Sequence, residues 1–295
     1  MSARYESPVN SQSQPQFGGN ISEWQWGRGN LADKIYSFAY DALSRIISGT
    51  LTGNAAGNDA FAEKDITYDR NGNILTLKRF GENGIIADIV NIITGNRIAS
   101  NTYDDCGNVT YDSASGTTLE WNTLGLIKKV SAIDGTLVNY SYLADGTKIS
   151  ALDDQGNGLE YRGSLTFRRN GSSLQIEGID FPGGRFVAKE NGTDGITLVP
   201  HYHITDHLGS VRAVVDGSTG QVVETNDYYP FGKRWDSSSS VTSPDNRYRY
   251  NGKEEQAEFG SSLSDYGARQ YSASTGRWLA MDPLAEKYYP VSPYE

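Results

Sequence analysis

Tyr68-Asp69-Arg70-Asn71-Gly72-Asn73-Ile74 reads as the end of one strand, a tight turn, and the start of the next strand, Ile74–Arg79. The tyrosine buries a large ring while its hydroxyl keeps a polar partner. The aspartate opens the turn by accepting backbone N–H groups ahead of it, and Gly72 and Asn73 close it because both tolerate positive φ. Tyr103-Asp104-Asp105-Cys106-Gly107-Asn108-Val109 repeats the pattern with the same spacing. Tyr40-Asp41-Ala42-Leu43-Ser44-Arg45-Ile46 has the opening without the glycine. Trp121-Asn122-Thr123-Leu124-Gly125-Leu126-Ile127 exchanges Tyr and Asp for Trp and Asn, and Tyr142-Leu143-Ala144-Asp145-Gly146-Thr147-Lys148 is a looser copy. One hairpin is unstable alone, so such copies must pair edge to edge. The spacing therefore predicts an all-β chain of antiparallel strand–turn–strand units joined edge to edge into a continuous sheet.

Composition agrees. The 295 residues include 33 Gly and 20 Asn, the turn formers, and 19 Tyr, 9 Phe and 5 Trp, which supply much of the burial. With 36 acidic and 26 basic side chains the formal net charge is −10, which argues against a nucleic-acid groove lined by Lys and Arg. No apolar run is long enough to span a bilayer, and Met1–Asn30 carries no secretory-signal pattern. A single cysteine, Cys106, excludes an internal disulfide and sits in a turn, where nothing nearby in sequence would activate a thiol. Three segments depart from the repeat. Residues 1–19 are polar and Ser/Gln/Pro-rich and read as a flexible arm or a truncated continuation of an upstream repeat, residues 236–243 as a serine-rich loop, and Ile85–Ile93 as a buried strand ending at the Thr94-Gly95-Asn96 turn.

From Val199 the sequence becomes more specific. His201-Tyr202-His203-Ile204-Thr205-Asp206-His207-Leu208-Gly209-Ser210-Val211-Arg212 is followed by Asp216-Gly217 and Tyr228-Tyr229-Pro230-Phe231-Gly232. Next come Tyr250-Asn251-Gly252-Lys253-Glu254, Asp265-Tyr266-Gly267-Ala268-Arg269, Thr275-Gly276-Arg277-Trp278 and Asp282-Pro283-Leu284-Ala285-Glu286-Lys287-Tyr288-Tyr289. This order of motifs resembles the RHS repeat-associated core domain over about Val199–Tyr294. The upstream units, over about Asn20–Lys189, resemble the YD repeats that precede such a core. After the arm at 1–19, the resemblance implies a YD-repeat sheet at 20–198, a partial curved section of such a shell, and the core domain at 199–295, truncated at its C-terminal end.

It also implies a job. Proteins of this kind wind a β-strip into a hollow shell around a toxic C-terminal polypeptide, with the core domain as a plug. The implied partners are that toxin polypeptide and upstream repeat segments, and the implied location is secreted or at the cell surface. Asp206, His207, Leu208 and Gly209, with Tyr228, Tyr229, Pro230, Phe231 and Gly232, carry over as turn and structural motifs. Self-cleavage in the family is attributed to two aspartates in two Asp-Pro motifs, assisted by an arginine; Asp282 matches the first aspartate and Arg269 the arginine. Two carboxylates close together divide into an acid and a base, and an arginine can orient one of them. The sequence stops at Glu295 before a second Asp-Pro, so the expectation is a non-enzymatic structural module. Where relatives read Ala-Arg-Tyr-Tyr-Asp-Pro, this chain has Ala268-Arg269-Gln270-Tyr271-Ser272-Ala273, losing a customary turn.

Two other classes compete with this reading. A secreted or cell-surface YD-repeat module could bind carbohydrate or another cell through exposed Tyr and Trp rings. A zinc hydrolase is suggested by His201, His203, Asp206 and His207, but the spacing is one residue longer than the His-x-His-x-Asp-His motif. No other histidine exists to complete the ligand set, so no metal and no cofactor is expected.

Overall fold

The computed structural model describes residues 1–11, 13–27, 34–52, 59–192, 195–237, 240–256, 263–288 and 290–295. Residues 238–239 of the serine-rich loop and Tyr289 of the last core motif lie outside the described residues. The all-β expectation holds: the described residues form antiparallel strands and short 3-10 turns, with no α-helix. Among them no helix is long and apolar enough to cross a membrane. The chain divides into two compact units, each taken by itself here.

Unit 1 comprises Met1–Ile98, Asp227–Ser239 and Pro290–Ser292. Its seven-stranded sheet runs in chain order: β1 (Ser2–Arg4), β2 (Glu23–Trp26), β3 (Lys34–Tyr40), β4 (Ile46–Leu51), β5 (Glu63–Tyr68), β6 (Ile74–Gly81) and β7 (Gly84–Val90). Two clusters form its core. Trp24, Trp26, Tyr36 and Phe61 pack with Tyr229 and Trp235, and Ile66, Ile74 and Leu77 pack against Phe231. A two-stranded ladder, β8 (Ile93–Thr94) and β9 (Arg97–Ile98), turns at Gly95 and Asn96, both at positive φ as a type I′ hairpin requires.

Unit 2 comprises Ala99–Asn226, Ser240–Tyr289 and Pro293–Glu295. Its thirteen-stranded sheet is again in chain order. It holds β10 (Thr102–Tyr103), β11 (Val109–Asp112), β12 (Thr117–Trp121), β13 (Ile127–Ser131), β14 (Leu137–Tyr142), β15 (Lys148–Leu152) and β16 (Gly158–Arg162). The sheet continues with β17 (Leu165–Asn170), β18 (Ser173–Phe181), β19 (Gly184–Glu190), β20 (Ile196–Thr205), β21 (Val211–Asp216) and β22 (Val222–Thr225). A four-stranded sheet follows, made of β23 (Glu254–Glu255), β24 (Leu263–Asp265), β25 (Gln270–Ser272) and β26 (Arg277–Trp278). In β12 the alternation is plain: Thr117 and Leu119 are buried while Thr118 and Glu120 are exposed.

The repeated turn has one geometry. At Asp69 the backbone N–H donates to Asn73 O, Gly72 N–H returns to Asp69 O, and Asp69 Oδ1 accepts from Asn71 and Asn73 N–H. The same backbone pair closes the turns opened by Asp41, Asp104, Asn122 and Leu143. Where glycine is missing, Ser44 takes φ 63° in its place. The sheet register also shifts just before the aromatic residue, at Tyr40, Tyr68, Tyr103, Trp121 and Tyr142.

That bulge points the ring along the sheet edge toward the previous copy. Tyr68 Oη donates to Ile46 O at 2.5 Å, Trp121 Nε1 to Val109 O at 2.7 Å, and Tyr142 Oη to Ile127 O at 2.9 Å. Ile46, Val109 and Ile127 each follow the residue that closes the preceding turn. Each ring therefore staples its own turn to the one before it. Tyr68→Phe keeps the ring and removes the donor, leaving a carbonyl unpaired; urea unfolding should show a loss of about 1 kcal/mol.

Three expectations are corrected. Ile85–Ile93 is not a buried strand. Its residues up to Val90 lie in β7, which among the described residues pairs with β6 alone, and Ile85, Ile86 and Val90 are 57%, 54% and 74% exposed. Residues 1–19 are not simply an arm, because β1 pairs with β2 and the buried Glu23 carboxylate accepts the Val9 and Asn10 N–H groups at 2.8 Å each. The boundary at 198/199 falls inside β20, which is paired on both sides, so the change of motif there is not a break in structure.

Candidate functional site

The core-domain motifs form the cover of each sheet. In unit 1 the Tyr228–Gly232 motif makes the repeated turn, with Tyr229 N–H on Lys233 O and Gly232 N–H on Tyr229 O. Tyr229 Oη donates to Phe80 O at 2.5 Å, and Trp235 stacks on Phe61 with centroids 4.4 Å apart. Pro230 comes so near the sheet that a Cβ on Gly49 would lie 2.7 Å from its Cγ. In unit 2, Leu263 and Leu279 complete the cluster of Val109, Leu119, Ile127 and Val130.

Asp206, His207, Leu208 and Gly209 form another copy of the turn, ending β20. Asp206 Oδ1 accepts from Leu208 and Ser210 N–H, both at 3.0 Å. A second turn docks on it: Asn251 N–H donates to Ser210 Oγ, and Asn251 Nδ2 to Leu208 O. His201 is buried in β20, His203 is half-buried facing Tyr248, and His207 is exposed in the turn. The strand ends before His207, so the three rings are not gathered. Among the described residues no group of three or more His, Cys, Asp or Glu could hold a metal ion. Cys106 is exposed and free.

Arg269 and Asp282 are brought together. Arg269 Nη2 lies 2.9 Å from Asp282 Oδ2, and the guanidinium carbon stands 4.2 Å from the Trp278 ring centroid. Burial pulls the Arg269 pKa below its ordinary value, against the opposing pull of Asp282. Asp282 also builds a turn, since its Oδ1 accepts Leu284 N–H at 2.7 Å and its N–H donates to Pro293 O. Tyr294 on this segment donates to Gly107 O at 2.6 Å, and Val109 N–H donates to Leu279 O, which seats the pair beside the Asp104 turn. The turn thought lost after Arg269 is made without Asp-Pro, by Ser272 O accepting from Thr275 and Gly276 N–H.

Sequence reasoning passed over two ionic clusters drawn from distant strands. Lys148 meets Glu254 and Asp265, and Glu177 gathers Arg168, Arg185 and Arg247. Glu254 and Asp265 stand inside core motifs, but their partner is more than a hundred residues away in the chain.

The exposed turns carry a pH dependence. Hydrogen bonds from Asn157, Thr136 and Thr147 N–H lower the pKa of Asp153, Asp134 and Asp145 respectively. The stability they contribute is complete above the ordinary aspartate pKa of about 4 and drains away as pH falls through the lowered folded values. Melting temperature should therefore drop between pH 6 and pH 3, and by less in Asp153→Asn; an unchanged acid slope in that variant would exclude this origin.

The Teneurin YD-shell family model matches residues 13–161. Toxin subunit YenC1 of Yersinia entomophaga is 27% identical over 272 residues, covering 77% of this chain and 27% of that protein. Salivary gland surface protein 1 of Aedes aegypti is 38% identical over 92 residues, 31% of this chain and 2% of that one. The solved TcdB2-TccC3 structure superposes with a TM-score of 0.63 at 16% identity, over 94% of this chain and 17% of the solved one. A Photorhabdus luminescens Tc holotoxin pore gives 0.59 at 18% identity, over 93% and 17%. At these identities the solved structures establish the fold alone, and the chain spans about a quarter of its curated toxin relative. With half its length matched by one family model, this chain belongs to the Teneurin YD-shell family.

Proposed function

We propose that this chain is a wall section, with its covering core segment, of a shell that encloses a toxin polypeptide. The carrying observation is that residues of the chain's own C-terminal segment pack onto each sheet: Tyr229 and Trp235 in unit 1, Leu263 and Leu279 in unit 2. A wall that meets a lumen needs such a lining, because an apolar sheet face left to water is unfavourable. The similarity to a toxin subunit supports the cargo class, and secretion or surface display follows from that cargo.

In this reading the shell is structural and its partners are the enclosed polypeptide and neighbouring repeat segments. Arg269 and Asp282 are half of a self-cleavage centre, the guanidinium orienting the carboxylate until a second acid joins them. If the coding frame is followed past Glu295 and the product splits, Asp282→Asn should keep it whole. Electron cryo-microscopy of the protein as fully encoded tests the shell itself: these strands should form part of a wall around internal density. Cargo density lying outside the wall would overturn the proposal.

A further inference from the structure

Lys148 on β15 lies between two carboxylates of the core segment. Its Nζ is 2.7 Å from Glu254 Oε2 and 2.6 Å from Asp265 Oδ2, with side-chain exposures of 13% for the lysine and 11% for each acid. Glu254 on β23 and Asp265 on β24 are direct register partners, so two acids face each other across one strand pair. Like charges in that position are unfavourable and call for a cation or a shared proton between them. The surroundings are aromatic. Tyr161 donates to Glu254 Oε1 at 2.8 Å and its ring lies 4.8 Å from Lys148 Nζ, while Tyr140 donates to Gln256 beside them. Asp265 Oδ1 accepts Gly267 N–H at 2.8 Å, which fixes the carboxyl plane.

We propose that Lys148 and Asp265 condense into an intramolecular amide, with Glu254 moving the protons. The ion pair is one proton transfer away from a neutral amine and a carboxylic acid, the pair that can condense. The Nζ lone pair adds to Asp265 Cγ, and Glu254 takes a proton from the nitrogen and delivers it to the departing hydroxyl. The Nζ–Cγ bond forms, the Cγ–OH bond breaks, and one water leaves; no oxidant or cofactor is consumed. Holding the two groups in contact converts a sluggish bimolecular condensation into an intramolecular one. Burial works to lower the Lys148 pKa, yet the two carboxylates outweigh it and hold the pKa above the ordinary lysine value. The reaction therefore draws on a minor tautomer and follows folding. Its product ties the wall strand β15 to the core strand β24, in a chain whose lone cysteine cannot make an internal disulfide.

The test is the mass of the intact wild-type chain, measured in denaturant after incubation of the folded protein. The expected mass is that of the sequence less one water. Tandem mass spectrometry should then find a branched tryptic peptide joining the Lys148 and Asp265 segments, with no cleavage after Lys148. Lys148→Arg preserves the positive charge and should restore the lost water, with circular dichroism checking its fold. Glu254→Gln keeps both reacting groups and should slow the condensation by roughly a hundredfold. A full sequence mass with ordinary cleavage after Lys148 would overturn the proposal and leave a buried ion pair. So would a water loss that maps to a succinimide elsewhere.

Discussion

Arg79→Met should destabilise the protein by about 3–5 kcal/mol in urea or thermal unfolding, the cost of leaving one member of a buried ion pair alone. Glu63 is fully buried between β5 and β6, and Arg79 holds it through Nε at 2.7 Å and Nη2 at 2.5 Å. The arginine also lies 5.3 Å from the Tyr229 ring, so it links the sheet to the core segment that covers it. Burial raises the Glu63 pKa, with Arg79 pulling the other way. A carboxyl whose folded pKa is raised binds protons more readily when folded, so the variant should regain stability as pH falls from 7 through that value. This sign is opposite to that of the turn aspartates. Adding Glu63→Leu to Arg79→Met should recover most of the loss, because removing both charges removes the unpaired one.

Gly158→Ala should cost on the order of 3 kcal/mol or more, through backbone strain added to a steric overlap that cannot relax cheaply. Gly158 opens β16 at φ 140°, a conformation that L residues rarely adopt. A Cβ there would lie 2.3 Å from Ala151 O and 3.1 Å from Leu152 Cα, both on the backbone of β15. The ladder between β15 and β16 would have to open beside Ala151 and Leu159, which are fully buried. The same change at Gly156, where φ is also positive but nothing lies within 4 Å of a Cβ, should be milder because only the strain remains. Equal losses at both positions, read from urea midpoints, would remove the steric part of this account.

The turns were legible because their determinants are local. Asp69, Gly72 and Asn73 lie within five residues of one another, and aspartate acceptance and positive φ need no distant partner. The same rule could have found the turns opened by Ala132 and Asp153, each with glycine three residues on, but they lack the preceding aromatic residue that drew attention to the others. Edge position was not legible. The apolar run in β7 announces a strand, and only the strand order shows that it has a single neighbour. The polar composition of residues 1–19 hid the Glu23 latch, since its donors are backbone groups without a side-chain signature. Buried charge was silent for the same reason: Lys148 and its two acids are neighbours only after the sheet is built.

On the proposed reading, this chain helps to wall off a polypeptide cargo. Protease protection reads it directly. A cargo polypeptide enclosed by the assembled protein should survive added protease that readily digests it once the shell is unfolded in denaturant. Digestion of that cargo at the same rate in the native assembly and in denaturant would contradict the claim.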